Sequence, residues 1–146
     1  MCMVVCRAAA RPHPSHNRGD YMADDIAMNV NSNDLILKDG DLLIIDDAER
    51  VAQMILISLR FWYGEWFLNE TEGVPYLEYI LVKNPNIAHV RQILTETIEA
   101  VPGVSAVTSM SIDFDQKGRE LAVEYSATTD FGLLTRRVIL GYNDNK

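Results

Sequence analysis

One aromatic-rich stretch, residues 60–80, organises the predictions for this chain, and it reads Arg60-Phe-Trp-Tyr-Gly-Glu-Trp-Phe-Leu-Asn-Glu-Thr-Glu-Gly-Val-Pro-Tyr-Leu-Glu-Tyr-Ile80. It holds both tryptophans of the protein and seven aromatic residues in all, which are Phe61, Trp62, Tyr63, Trp66, Phe67, Tyr76 and Tyr79. Gly64 and Gly73 interrupt the run, and Pro75 opens the next segment. The pattern predicts a helix that ends in an aromatic cluster followed by a fixed turn. It indicates a docking element or a local core, because a ligand pocket needs convergent polar groups.

The segment before this stretch predicts a β-hairpin and a long helix. Leu35–Ile45 contains two apolar runs joined by Asp39-Gly40, which supplies the positive φ of a type I′ turn. Asp46 or Asp47 then caps the helix. Helical spacing puts one apolar face on Val51, Ile55, Leu59, Trp62 and Trp66, and Gly64 predicts the end of the helix.

The segment after it predicts a short helix and then a second long one. Pro75 suits the first turn of a helix that reaches about Leu81. The second long helix should run from about Asn86 to Ala100 and end at Pro102-Gly103. Its predicted apolar face consists of Ile87, Val90, Leu94, Ile98 and Val101.

The C-terminal third alternates apolar and polar residues, which predicts an antiparallel three-stranded meander with one buried face. The alternating sets are Val104, Ala106, Thr108, Met110, Ile112 and Phe114 in the first strand and Leu121, Val123, Tyr125 and Ala127 in the second. In the third strand, Leu134, Arg136 and Val138 share one face and Thr135, Arg137 and Ile139 share the other. The predicted fold class is therefore α+β: an N-terminal β-hairpin, two long helices plus one short helix, and the meander, with the helices on one sheet face.

Length and charge limit the classes of function. The 146 residues predict one α+β domain over 34–146 behind a flexible N-terminal tail over 1–33, whose composition is polar and rich in helix breakers. The net charge is −8, and residues 22–146 alone carry −10. An acidic domain disfavours nucleic acid and anionic membranes as partners.

The candidate catalytic and metal-binding residues favour structural interpretations. Glu65, Glu70, Glu72 and Glu78 surround the aromatic cluster and could serve glycoside hydrolysis, but no second polar constellation converges there. We instead expect Glu65 to accept hydrogen bonds from nearby backbone N–H groups and fix the turn. A zinc set of Cys2, Cys6, His13 and His16, and a calcium loop at Asp113–Gly118, both fit known ligand spacings poorly. We expect no cofactor and no metal.

Two surfaces are left open by the residue patterns. The last strand presents an unpaired edge that another chain could use, unless Leu35–Ile45 folds back to cover it. Met54, Ile57 and Phe61 form a second stripe beside the main face of the first helix, which fits either a wide core stripe or a partner surface.

Residues 34–141 resemble the baseplate wedge proteins of contractile-tailed phages, the W-type or "lysozyme-like" family, which is related to a sheath-docking baseplate subunit of type VI secretion systems. The resemblance rests on Asp41-Leu-Leu-Ile-Ile, Ala52-Gln53, Gly64-Glu65-Trp66-Phe67-Leu68, Gly73-Val-Pro-Tyr-Leu, Ile98-Glu99-Ala-Val-Pro102-Gly-Val and Thr129-Asp-Phe-Gly132. It implies a compact α+β fold and a structural role in the virion tail baseplate, assembled in the host cytoplasm.

The resemblance also implies partners and site residues. The protein would join the tail sheath to other baseplate wedge proteins, in several copies per particle, by strand exchange and helix packing. The residues expected to bind partners or fix turns are Trp62, Glu65, Trp66, Phe67, Pro75, Tyr76, Glu99 and Pro102. Two alternatives stay open: a peptidoglycan-degrading glycosidase using Glu65 and Glu72, and a small regulatory adaptor on the same fold.

Overall fold

The computed structural model describes residues 24–115 and 120–141 of the chain. It confirms the α+β class, with the helices on one face of a C-terminal antiparallel sheet. The elements in chain order are β1 (Asp24–Ile26), β2 (Leu37–Lys38), β3 (Asp41–Leu42), β4 (Ile44–Asp46), α1 (Asp47–Arg60), a π-helical turn (Tyr76–Ile80), α2 (Ile87–Glu99), β5 (Val104–Asp115), β6 (Glu120–Thr129) and β7 (Gly132–Gly141).

The predicted hairpin is present at β2 and β3. Asp39 and Gly40 have φ values of 56° and 88°, the two positive angles of a type I′ turn. The chain already forms a strand ahead of this hairpin, at Asp24–Ile26, which lies within the predicted tail over residues 1–33. β1 pairs with β4, and buried Ala27 donates its N–H to the Leu43 carbonyl at 2.8 Å. The rest of the predicted tail, with the cysteines and two of the histidines, lies outside the described residues.

Helix α1 buries the predicted apolar face at Val51, Ile55 and Leu59, each 0% exposed. The helix ends at Arg60, short of the predicted end at Gly64. Backbone pairing explains the difference. Phe61 turns into extended geometry, and its carbonyl accepts a 2.8 Å hydrogen bond from the Val74 N–H.

Two residues of the predicted face therefore leave the helix. Trp62 forms an isolated parallel bridge with Val74, where its ring still packs against the core. Trp66 lies in the following loop and is 43% exposed, so its predicted place on the helix face is wrong. A backbone pair with a distant segment overrides helical spacing here.

The second half of the helical layer follows the sequence closely. α2 is bounded by Asn86, whose side chain accepts hydrogen bonds from the Ala88 and His89 N–H groups. Its buried residues are Val90, Leu94 and Ile98; the predicted Ile87 is 41% exposed instead. The short helix after Pro75 is present over Tyr76–Ile80, but with π geometry.

The sheet has the order β5-β6-β7, and all its pairs are antiparallel. Central strand β6 buries Leu121, Val123, Tyr125 and Ala127 at 1% exposure or less, as the alternation predicts. Strand β5 departs from its predicted alternation at its start. Register shifts between Val104 and Ala106 and between Val107 and Ser109 insert extra residues, so Val107 packs on the core while Ala106 and Thr108 are exposed.

The α1 core face gives a first prediction. Replacing Ile55 by Ala should lower the free energy of unfolding by about 2–5 kcal/mol, because a fully buried side chain leaves a cavity. The matched control is Ile57→Ala in the same helix, where the side chain is 45% exposed and the loss should be clearly smaller. Urea denaturation followed by tryptophan fluorescence measures both. Equal losses would contradict this assignment of the core face.

Candidate docking surfaces

The aromatic loop, residues 61–75, has an inner half anchored on the core. The rings of Trp62 and Tyr76 pack with centroids 5.1 Å apart and planes tilted by 40°. Tyr76 is 3% exposed, and its hydroxyl donates a hydrogen bond to the Leu59 carbonyl near the end of α1. Pro75 precedes the π-helical turn and is half-buried. The two anchoring aromatics therefore hold the loop against the helix that it leaves.

The outer half of the same loop exposes large apolar side chains. Phe67 is 81% exposed and Leu68 is 69% exposed, beside Trp66. Leu77 and Tyr79 of the π-helical turn are also exposed, at 71% and 49%. Single exposed apolar residues are ordinary, whereas a concentration of them in one segment is typical of interaction sites.

Local hydrogen bonds give the loop its shape. Glu65 accepts a 3.0 Å hydrogen bond from the Trp62 N–H through its side chain, and its own N–H donates to the Trp62 carbonyl at 3.0 Å. Glu65 therefore makes two hydrogen bonds with Trp62 inside its own turn. Sequence reasoning missed Asn69, whose Oδ1 accepts a hydrogen bond from Thr71 Oγ1 at 2.7 Å and whose Nδ2 donates one to Glu72 Oε1 at 2.8 Å. The tendency of Asn to bond groups two residues on was the available signal.

The two ends of the loop approach each other unusually closely at Gly73. A Cβ placed there would lie 2.5 Å from the Trp62 carbonyl carbon and 2.6 Å from the Tyr63 nitrogen. Gly73 also has a φ of 107°, which side chains disfavour. The base of the loop can therefore close only with glycine at this position.

The four acidic residues in the loop and in the π-helical turn after it lie at the surface. Glu65, Glu70, Glu72 and Glu78 are all exposed, and none of them lines the cavity described below. Glu65 and Glu72 each bond within their own turn. Glycoside hydrolysis needs two carboxyl groups facing one another across the scissile bond.

The predicted residues Glu99 and Pro102 belong to a different junction, between α2 and β5. Glu99 Oε1 accepts a 3.1 Å hydrogen bond from the Val107 N–H, at the second register shift of β5. Pro102 is exposed, and Gly103 after it accepts a hydrogen bond from the Asp130 N–H at 3.1 Å. The structure thus gives Glu99 a role in fixing the start of β5.

A groove of about 660 Å³ separates the N-terminal strands from β7. Within the described residues, the strands between residues 24 and 46 pair among themselves and none of them pairs with β7, so the outer edge of β7 has no strand partner there. The groove is lined by Ala27, Met28, Val30, Asn31, Ile36, Leu43, Ile45, Glu49, Ala52, Gln53, Leu56, Arg60, Glu120, Tyr125, Arg136, Arg137, Val138 and Ile139. No single sequence motif could have revealed it, because its walls come from three distant segments.

Gln53 fixes one wall of this groove. Its amide donates to Asp25 Oδ2 at 2.9 Å and to the Ile26 carbonyl at 2.8 Å, and it accepts from the Met28 N–H at 2.8 Å. One side chain of α1 thereby holds β1 in place. The Ala52-Gln53 pair was noted in the sequence only as part of the resemblance.

The floor of the groove contains a buried phenol. Tyr125 is 1% exposed, and its hydroxyl has no hydrogen-bond partner in the described part of the chain. Burial raises the pKa of Tyr125 to about 12, against an opposing effect of the nearby Arg136 guanidinium. The hydroxyl therefore stays protonated at neutral pH and remains a hydrogen-bond donor.

The second apolar stripe of α1, formed by Met54, Ile57 and Phe61, is partly in the core and partly at the surface. Met54 packs against the core and Phe61 is half-buried, whereas Ile57 is 45% exposed.

Among residues 24–115 and 120–141, no helix is long and apolar enough to cross a membrane, and no cluster of three metal-ligating side chains occurs.

Comparison with known families places the chain among contractile injection systems. Residues 24–132 match the family model described as "Contractile injection system sheath initiator". The match spans every element from β1 to the first residue of β7. No curated protein matches the chain. The match agrees with the coarser resemblance, a protein of a contractile tail baseplate, and describes a sheath initiator where the finer resemblance named a lysozyme-like wedge family.

The close approach at Gly73 gives a second prediction. Gly73→Ala should destabilise the fold more than Gly64→Ala, although both positions have positive φ, because only at Gly73 would the new methyl meet backbone atoms. The conformational cost common to both is about 1–2 kcal/mol. Urea denaturation read by the fluorescence of Trp62 and Trp66 compares the two variants. Equal destabilisation would show that the close approach opens without cost.

Proposed function

The chain belongs to the contractile injection system sheath initiator family, and we propose that it docks the tail sheath onto the baseplate wedge. The family match over residues 24–132 carries this proposal. The proposed place is the tail baseplate of a virion, in several copies per particle, after assembly in the host cytoplasm. The two surfaces described above supply a physical basis for the two contacts that the role requires.

The free edge of β7 is the proposed contact with the sheath. β7 has a strand on one side only among the described residues, so its other side offers backbone N–H and C=O groups in a row. An extended segment of a sheath subunit can satisfy these groups by adding a strand. Such pairing depends little on side chains and suits the first layer of a repeating assembly.

The outer half of the aromatic loop is the proposed contact with wedge proteins. Trp66, Phe67 and Leu68 are exposed on a segment whose base is fixed by Trp62 and Tyr76. Aromatic side chains held on a rigid support are typical centres of protein interfaces. Packing against a helix of a larger wedge subunit would bury them.

The alternative functions receive less support. For a peptidoglycan glycosidase, Glu65 and Glu72 would need to face a shared substrate cleft, whereas each is bonded in its own turn. A regulatory adaptor on the same fold would be favoured by a gene neighbourhood without tail genes. The acidic composition supports protein partners over nucleic acid or anionic membranes.

Hydrogen exchange tests the sheath contact. On adding the sheath subunit of the same system, the β7 amides that point away from β6 should become protected by at least tenfold in exchange rate, because they gain a strand partner. The β5 amides on the opposite edge of the sheet are the internal control. Protection confined to β5, or no binding of the sheath subunit at all, would overturn this contact.

A loop variant tests the wedge contact. Phe67→Ser should leave the free energy of unfolding within about 0.5 kcal/mol of the parent, because the side chain is 81% exposed. It should nevertheless weaken co-purification with the wedge subunits. Leu37→Ser is the control, since Leu37 is 67% exposed on the hairpin, outside the aromatic loop. Equal capture of both variants and the parent would remove the aromatic loop from the interface.

A further inference from the structure

The groove beside β7 has the form of a slot for an extended chain. One wall is formed by the N-terminal strands through Ile36, Leu43 and Ile45, and the opposite wall by Val138 of β7. These four residues are apolar, whereas Glu49, Glu120 and Arg137 also line the groove. The groove lies against β7, which lacks a strand partner on its outer side in the described residues. A segment entering it could meet the β7 edge and the apolar walls together.

The buried hydroxyl of Tyr125 gives this groove a specificity for polar groups that its apolar residues cannot provide. A buried hydroxyl without a partner is unfavourable for the free protein, since it has lost its hydrogen bonds to water. Such a group is explained if a ligand supplies the missing acceptor. The phenol donates, so the ligand must present an oxygen acceptor.

Arg136 adds a positive charge to the same site. It is the Cα partner of Tyr125 across the β6–β7 pair and lines the same groove. Its guanidinium makes a long 3.4 Å hydrogen bond to the Thr135 carbonyl, and the described residues place no carboxylate within ion-pairing distance of it. A cation left without an acid in a protein of net charge −8 favours an acidic side chain on the incoming chain.

We propose that the groove binds an extended segment of the sheath subunit that carries an aspartate or glutamate, whose carboxylate is bound by the Arg136 guanidinium and, once the side chains packed over it move apart, by the buried Tyr125 hydroxyl. This inference rests on the proposed docking function and adds to it the chemistry that sets the register of the added strand. Strand pairing alone tolerates slippage, whereas one carboxylate held at one position fixes a single alignment.

Two substitutions in the full chain test the proposal. Tyr125→Phe removes only the hydroxyl, and Arg136→Gln removes the charge. Each should weaken binding of the sheath subunit about tenfold or more, measured by biolayer interferometry, because a charge-assisted hydrogen bond is lost. The controls are Tyr79→Phe, on the exposed π-helical turn, and Lys83→Gln, an exposed residue outside the groove. Neither control should change the affinity.

Stability provides the second readout. Tyr125→Phe deletes an atom without a partner, so the urea midpoint should stay equal or rise. A lower midpoint would mean that the hydroxyl is already bonded within the folded protein, which would overturn the proposal. Unchanged sheath affinity in both groove variants would also overturn it, while leaving the docking function standing.

A synthetic peptide separates the two failures. The probe is an acetylated, amidated nonapeptide of alternating threonine and valine with a central glutamate, and its match has lysine at that position. The glutamate peptide should shift the methyl NMR signals of Ile45 and Val138 and bind at least tenfold more tightly than the lysine peptide. If the sheath subunit fails to bind but this preference is seen, the docking function falls and the sheath falls as the occupant, whereas the selectivity of the groove for a carboxylate stands. The inference is overturned by equal binding of the two peptides or by no binding of either. It is also overturned if light scattering shows a dimer of the chain whose formation shifts the same Ile45 and Val138 signals.

Discussion

Burial of one face of the C-terminal sheet under two helices is the constraint on which the rest of the molecule depends. Ile55 and Leu59 of α1, and Leu94 and Ile98 of α2, meet the inner residues of β6 in a single apolar cluster. Each of these four side chains is 0% exposed. Because the helices cover only one face and the strands form an open meander, the fold necessarily leaves an edge at β7. The surface that we propose for sheath docking is thus a product of the same packing that stabilises the domain.

The two proposed surfaces differ in what makes them specific. The β7 edge offers backbone groups, which any extended chain can pair with, and so its discrimination has to come from side chains such as Tyr125 and Arg136 in the adjoining groove. The aromatic loop offers side-chain area on a fixed support and discriminates by shape. A protein that joins a repeating sheath to a dissimilar baseplate has use for both kinds of recognition.

Sequence patterns predicted the elements well and their junctions poorly. The buried positions Val90, Leu94 and Ile98 of α2, the Asp39-Gly40 turn and the alternation of β6 follow from local sequence signals, and the structure has them where expected. The end of α1 depends on a backbone pair between Phe61 and Val74, and the groove on three segments far apart in sequence. Such features arise from tertiary contacts that no local window contains. Of the candidate site residues, Glu65 could be assigned a local bond from its sequence neighbours, whereas Tyr125 was predicted only as a core residue.

The closed base of the aromatic loop has an evolutionary consequence. Hydrogen bonds from Tyr63 to Val74 and from Val74 to Phe61 join the two sides of the loop next to the core, with Gly73 at the close approach. Residues beyond this junction therefore contribute little to the cohesion of the domain. Substitutions, insertions and deletions at the tip, residues 66–71, can therefore accumulate during evolution as a partner surface changes, while the domain core stays the same.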